Sequence, residues 1–564
     1  MVPPSSDKKV KSAAAAAATA TTNSRSVNTS KLSEKSNGPL VYTPLSEIPK
    51  GVERLTRAFH EKQKTHSIQF RLNQLRNLYF LLKDNSEALC DALSKDFNRS
   101  PSETRNLELA GATSELLHAM SSLHKWVKPE KVTDLPLTAS LNPVYIERIP
   151  LGVVLIISPF NYPFLLSFNS IAGAIAGGNA VVFKPSESTP HYSQLFTSLL
   201  TQALDPDIFY AVNGAIPETT VVLDQKFDKI MYTGNNTVGT IVAKKAAETL
   251  TPVLLELGGK SPAFILDDVK DSDLKAIANR IVWGRFANAG QTCVAVDYVL
   301  VHESVKQKLI SKIESVIKED FYPNLTKDDP SYTHLIHNRA FNNLSKILDT
   351  TKGDIIVGGE RDSASNYISP TVVDNVDWND STMQQELFGP VLPIITYSNL
   401  ADAVTEVVRR HDTPLAQYIF TSGATSPQKN EQVNLIFKSI RSGALLVNDV
   451  LMHVALANAP FGGIGQSGLG GGYHGFFSFR TFTHERTVME NDLKVDFALA
   501  SRYPPYSSNK DGAVSAALIP YNDVAWFNRT DDVRINGPNP IWGFFHTIAG
   551  VGGLVSAFIN SRKA

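Results

Sequence analysis

Residues 153–187 read VVLIISPFNYPFLLSFNSIAGAIAGGNAVVFKPSE. A short apolar run from Val153 to Ile157 reads as a strand, a helical stretch follows at 167–176, and Ala180 to Phe183 is a second strand. The alternation continues downstream, with strands at 209–212 and 229–232 and helices at 192–203 and 237–250. Strands spaced by helices in this way predict a doubly wound parallel sheet, whose ligand crevice lies at the carboxyl ends of its strands. Two of those ends carry polar residues suited to a ligand: Lys184 to Glu187, and the segment 233–239.

Upstream, residues 51–127 are helical. Ile68, Leu72, Leu75, Tyr79 and Leu82 form one apolar stripe, and Leu116, Met120, Leu123 and Val127 another. Pro129 and Pro136 end that run, and residues 144–146 and 153–157 read as strands joined through a turn at 150–152. Downstream, a second alternating region runs from Glu256 to about Gly443 and includes a helix at 274–286. A glycine-dense segment follows at 460–475, and a change of composition near Ser501 begins a tail.

The chain has 564 residues, 43% of them hydrophobic, enough to bury two domains or one large composite. Lysine and arginine number 54 against 55 aspartates and glutamates, so no electrostatic pull toward nucleic acid is expected. Two cysteines cannot make a disulfide framework, and no Cys/His spacing suits a metal, which favours a reducing compartment and a metal-free site. Residues 1–45, rich in Ser, Ala, Thr and Lys with alanines from 13 to 18, have no secretory h-region and read as disordered.

Cys293 closes the loop GQTC at 290–293. A thiolate is the nucleophile most readily made near neutral pH, since a free cysteine titrates around ~8.5. Cys90 lies on a helical stripe with Leu89, Leu93 and Phe97 and reads as a buried apolar residue. Glu256, in LELGGKSP at 255–262, ends an apolar strand beside two glycines, a setting for a desolvated general base. Asn161, in SPFNYPF at 158–164, offers an amide donor to an oxyanion, with the backbone N–H of Cys293 as a second. Lys260 in GKS has the look of a phosphate loop, but the required glycine five positions before Gly259 is Leu254.

The motifs SPFNYP, KPSE, TGNNTVG, LELGGKSP, GQTC, ELFGP and PFGGIGQSG, in this order across residues 50–490, resemble the aldehyde dehydrogenase superfamily. Tyr473, His474, Gly475, Phe482, Thr483 and His484, with Asn448 and His453, resemble its class 3 branch, which includes fatty aldehyde dehydrogenases. The resemblance implies an α/β, two-lobed fold. It has a Rossmann-like cofactor domain at 46–255, a catalytic domain at 256–443, a return segment at 444–490, and a small β oligomerisation arm to which 130–157 contributes. It implies Cys293 as nucleophile, Glu256 as general base and Asn161 as oxyanion amide. Lys184 and Glu187 fall on the adenosine ribose, Gly234, Asn235, Asn236, Thr237, Val238 and Gly239 on the pyrophosphate, and Glu386 with Phe388 on the nicotinamide side. Homodimers are implied, with the strands within 144–157 and the region after Phe476 as contacts.

A carboxylate at position 187 accepts a bond from a ribose 2′-hydroxyl and repels a 2′-phosphate, which favours NAD over NADP. Two departures stand out: Asn235 replaces the serine of many relatives, and Gly470 to Gly472 hold one glycine more than the class 3 spacing. The tail 491–540 leads to an uncharged run of 19 residues, 541–559, followed by Arg562 and Lys563. At ~1.5 Å per residue it nearly crosses a ~30 Å hydrocarbon core and reads as a membrane anchor, the rival being an interfacial or buried helix. With the catalytic domain facing the cytosol, the candidate membranes are endoplasmic reticulum, mitochondrial outer membrane and lipid droplet surface. The expected reaction is NAD-dependent oxidation of medium- or long-chain aldehydes. The alternatives are a cysteine-dependent esterase and an enzyme for aromatic or short aldehydes, and a non-catalytic relative is the third reading.

Overall fold

The computed structural model describes residues 40–494 apart from 134, 136–138, 140 and 141, and beyond them 496, 502–505, 530, 532, 533 and 535. The anchor run 541–559 lies outside the described residues. No described helix is long and apolar enough to cross a membrane.

The stretch that opens the sequence reading occupies the middle of a six-stranded sheet. Its order is Gly468–Leu469, Val253–Glu256, Lys229–Thr233, Val153–Ile157, Ala180–Lys184, Phe209–Ala211. All pairings are parallel except that of Gly468–Leu469, which runs antiparallel to Val253–Glu256. Val153–Ile157 is buried along its whole length because helices cover both faces, which is why it carries no polar position. The helices Pro163–Ala176, Pro190–Ala203 and Asn236–Ala247 fall where the alternation predicts them. The helix Ile216–Leu223 escaped the reading, because its eight residues are too few for a clear period.

A seven-stranded sheet forms the second lobe. It is ordered Asp354–Val357, Thr371–Asp374, Val391–Tyr397, Tyr298–His302, Pro262–Ile265, Ala416–Phe420, Ala444–Val447, and only its first strand is antiparallel.

A third, three-stranded sheet pairs Val144–Pro150 with Glu130–Lys131 on one side and Thr483–Met489 on the other. The three-stranded sheet therefore ends at Pro150, and Val153–Ile157 belongs to the six-stranded sheet. The break is made at Leu151 and Gly152, whose N–H groups both donate to Asn179 Oδ1, at 2.8 and 3.0 Å. Gly152 has φ +143°, and a Cβ there would sit 1.9 Å from Asp228 Oδ2.

Residues 40–45, expected within the disordered segment, are held to the first lobe. Val41 N–H donates to Gln194 Oε1 at 2.9 Å and Thr43 N–H to the Asn213 carbonyl at 2.8 Å.

Candidate active site

Polar stretches gather at the carboxyl edge of the six-stranded sheet because each follows one of its parallel strands. Residues 158–163 follow Ile157, residues 185–187 follow Lys184, residues 234–239 follow Thr233, and Glu256 is the last residue of its strand. Successive strands are laid first on one side of Val153–Ile157 and then on the other, so the crevice opens beside this central strand.

Cys293 is brought to this crevice by the helix Leu274–Phe286 and the turn after it. Asn288, Ala289 and Gly290 take left-handed backbone in succession, with φ 55°, 50° and 72°. Such a turn needs ties to persist. Asn288 Nδ2 donates to the carbonyls of Asn161 and Gln291 at 2.9 and 3.1 Å, and its N–H donates to Glu103 Oε1 at 2.6 Å. Gln291 Nε2 donates to the His334 carbonyl at 3.0 Å, and its Oε1 accepts the Ile336 N–H at 3.0 Å. A Cβ at Gly290 would lie 2.3 Å from the Gly389 carbonyl oxygen, so only glycine lets the cysteine loop press against the ELFGP turn.

Cys293 as a residue is half-buried. Burial pushes its thiol up to about 12, and the carboxylates of Glu386 and Glu256 push the same way, while its own amide and that of Val294 favour the thiolate. Glu256 is buried, and neither carboxyl oxygen has a hydrogen-bond partner among the described residues. Burial raises its carboxyl well above the ordinary range, and the nearby Gly463 amide, outside hydrogen-bonding geometry, offsets this only in part. The Tyr473 hydroxyl is buried and unpartnered too, and the charges of Glu256 and Cys293 both act on it. Sulfur, carboxyl and phenol thus lie within electrostatic reach of one another. His474, next in the chain, is fixed by Glu115 through Nδ1 at 2.5 Å. Gly470 and Gly471 have φ +98° and +90°, and nothing lies within 4 Å of where a Gly471 Cβ would be.

Asn161 is buried beside the same loop, its Nδ2 donating to the Gln291 carbonyl at 3.0 Å. Its own carbonyl accepts from Arg99 Nη2 at 2.7 Å as well as from Asn288. Arg99 is fully buried, paired with Glu108, and Glu108 Oε2 accepts the N–H groups of Phe164 and Leu165 at 2.8 and 2.9 Å, capping the helix Pro163–Ala176. Tyr162, on whose ring Arg99 lies, bonds Thr292 Oγ1 through its hydroxyl at 2.7 Å. Sequence reasoning missed Arg99, Glu108, Asn288, Tyr162 and Thr292. Arg99, in the connection between the helices Ile68–Phe97 and Pro101–Thr104, and Glu108 both fall in the stretch 51–127 read as packing helices. The signal for them is a pair of charges at positions that packing alone would fill with apolar side chains.

The sequence-selected cofactor residues flank the crevice. Lys184 is buried and donates to Glu187 Oε2 at 2.8 Å and to the Pro185 carbonyl at 3.0 Å; Glu187 is exposed, and its charge acts on Tyr232. Asn235 caps the helix Asn236–Ala247, its Oδ1 accepting the Val238 N–H at 3.0 Å, so it does what a serine would. Gly234 N–H donates to the Glu256 carbonyl at 3.0 Å, and Gly239 is buried in the first turn of that helix. Asn236, with Thr237 and Val238 beside it, bonds the Gln466 carbonyl at 2.7 Å. Glu386 is drawn toward Gly258, where a Cβ would meet its Oε2 at 2.2 Å; its Oε1 is unpartnered, and burial raises its carboxyl to about 8. Phe388, at φ 47°, packs edge-on against Phe160 at 5.9 Å. A capped helix N-terminus, a glycine cradle and an unpartnered acceptor at its far end fit a nicotinamide dinucleotide laid along the crevice.

The sequence matches the model of the aldehyde dehydrogenase family over residues 42–488. The chain belongs to the aldehyde dehydrogenase family. This aldehyde dehydrogenase is 42% identical to fatty aldehyde dehydrogenase HFD1 of Saccharomyces cerevisiae, over 91% of this chain and 96% of that one. It is 39% identical to the dimeric NADP-preferring aldehyde dehydrogenase of Rattus norvegicus, over 82% and 98% of the two chains. The substrate-bound structure of Staphylococcus aureus AldH superposes with a TM-score of 0.75 at 35% identity, covering 84% and 97% of the two chains. The two-lobed α/β fold and the class 3, fatty aldehyde dehydrogenase-like resemblance both stand.

Proposed function

We propose that this aldehyde dehydrogenase oxidises medium- or long-chain aldehydes to carboxylic acids with NAD, through covalent adducts on Cys293. The observation that carries the reading is that the Cys293 thiol lies within electrostatic reach of both the unpartnered Glu256 carboxyl and Glu386, with the Asn161 amide on the cysteine loop.

Cys293, its thiol proton released to solvent, attacks the aldehyde carbon as the thiolate, and the carbonyl oxygen takes up the negative charge. One Asn161 amide hydrogen is taken by Gln291; the other, with the Cys293 N–H, receives this oxyanion. When bound, the nicotinamide supplies the acceptor for the hydride on the former aldehyde carbon, which leaves a thioester on Cys293. Glu256 takes a proton from water, the resulting hydroxide adds to the thioester, the C–S bond breaks, and the acid departs with the thiolate restored.

Lys184 and Glu187 hold the adenosine ribose, residues 234–239 the pyrophosphate, and Glu386 with Phe388 the nicotinamide side. The exposed Glu187 carboxylate disfavours a 2′-phosphate. A relative 39% identical is named NADP-preferring, so this discrimination is tested directly. The lobe built on the six-stranded sheet acts as cofactor domain and the lobe built on the seven-stranded sheet as catalytic domain. The last strand of the seven-stranded sheet is Ala444–Val447, so the expected boundary at 443 moves past Val447, and the chain rejoins the first lobe at Gly468–Leu469. The sheet of Val144–Pro150 and Thr483–Met489 serves as the dimer arm. The apolar run 541–559 holds the chain at a cytosol-facing membrane, and HFD1 supports the fatty substrate class.

The test is a panel of aldehydes from short to long chain, and aromatic, each with NAD and NADP. NADH formation rising with chain length supports the reading. A preference for NADP, or for aromatic or short aldehydes, overturns the corresponding part.

A further inference from the structure

The seeming phosphate-loop residue Lys260 is buried and uses its three ammonium hydrogens on three partners. Nζ donates to Asp297 Oδ2 at 2.5 Å, to the Thr382 carbonyl at 2.8 Å and to the Gln385 carbonyl at 3.1 Å. Asp297, four residues past the nucleophile, also accepts Arg285 Nη1 at 3.1 Å and the Leu387 N–H at 3.2 Å through Oδ1. Arg285, eight residues before the nucleophile, donates from Nε to the Gly389 carbonyl at 2.9 Å and from Nη1 to the Val296 carbonyl at 3.2 Å. The cluster therefore grips the backbone of residues 382–389 at four places. Its members come from the Glu256 motif and from both sides of the cysteine loop.

We infer that Lys260, Asp297 and Arg285 are positioning residues that hold the Glu386 and Phe388 turn at a set distance from Cys293. The inference rests on the reading of that turn as the nicotinamide side. Two cations and one anion taken out of water are costly to bury, and isosteric apolar packing would serve stability as well or better. What the charges add is direction: carbonyls of one loop and an N–H from the same loop are drawn onto atoms rigidly tied to the cysteine loop. The turn is irregular backbone with Phe388 at φ 47°, and a displacement of about 1 Å at such a place can cost roughly a hundredfold in rate.

The test compares the full chain with Lys260→Met, and with Lys260→Arg, which keeps the charge but replaces three radiating bonds by a planar fork. Three readouts are taken on folded protein: NADH formation from decanal, cofactor-free hydrolysis of p-nitrophenyl acetate, and NAD binding by quenching of protein fluorescence. The expected result is a ratio of dehydrogenase to ester hydrolysis lowered roughly tenfold or more, with weaker NAD binding in both variants. An unchanged ratio, whether both activities fall together or neither falls, overturns the inference, as does unchanged NAD affinity. Should the native chain form no NADH from any aldehyde while NAD still quenches its fluorescence, the oxidation reading fails and the binding comparison still judges the inference.

Discussion

A thiol raised to about 12 beside two carboxyl groups is a poor nucleophile at rest, and the sign of each neighbour can be tested. An anion next to sulfur disfavours the thiolate, so Glu386→Gln should lower the thiol pKa and speed alkylation of Cys293 by iodoacetamide between pH 8 and 9. The native rate should climb through that whole range, measured by loss of free thiol. Glu386 carries a second consequence. Its folded carboxyl titrates near 8 while an unfolded glutamate titrates at ~4.3, so the folded state retains a proton that the unfolded state has released. Stability from this group is therefore lost as pH rises from about 4.3 to 8, and Glu386→Gln should flatten the fall in Tm across that window. Asn161→Ala should lower kcat by roughly a hundredfold or more, the loss typical of an oxyanion donor, with the variant still folded by circular dichroism.

At the level of elements, the helices that meet the crevice are anchored by side chains whose loss has different costs. Asn235→Ala removes the cap on Asn236–Ala247 and should cost about 1 kcal/mol in urea unfolding, while Asn235→Ser should cost a few tenths and leave NAD binding intact. Arg99→Met leaves Glu108 buried without its cation, and this should cost about 3–5 kcal/mol, most of it recovered in Arg99→Met with Glu108→Gln. The strands and helices of the first lobe were legible because each is uniformly apolar or regularly striped over several turns. The turn at 288–290 was not: left-handed backbone at Asn288 and Ala289 is imposed by bonds to Glu103, Asn161 and His334, residues with no local trace in the loop.

For the whole molecule, the first lobe, the second lobe and the three-stranded arm are joined by chain segments that cross between them, with Thr483–Met489 returning to pair along all seven residues of Val144–Pro150. An arm of this kind, with one edge strand largely exposed, suits pairing between subunits. Gel filtration of a chain ending at residue 490 should report a dimer, and proline at an outward N–H of Thr483–Met489 should shift it toward monomer. Deleting residues 535–564 should move the protein from the membrane to the soluble fraction while leaving activity on water-soluble aldehydes unchanged.

Sequence alone determined the periodic elements, the parallel sheet, and the order of motifs that points to Cys293, Glu256, Asn161 and the candidate cofactor residues beside them. These are local properties: apolar spacing is set by burial, and reactive side chains carry their chemistry with them. Only the tertiary structure decided that Val153–Ile157 leaves the arm for the sheet, that Arg99 and Asn288 hold Asn161 by its carbonyl, and that Lys260 serves two loops. Each depends on groups far apart in the chain meeting in a desolvated space, where an unpaired charge is costly and a partner's position is set by the packing of whole elements.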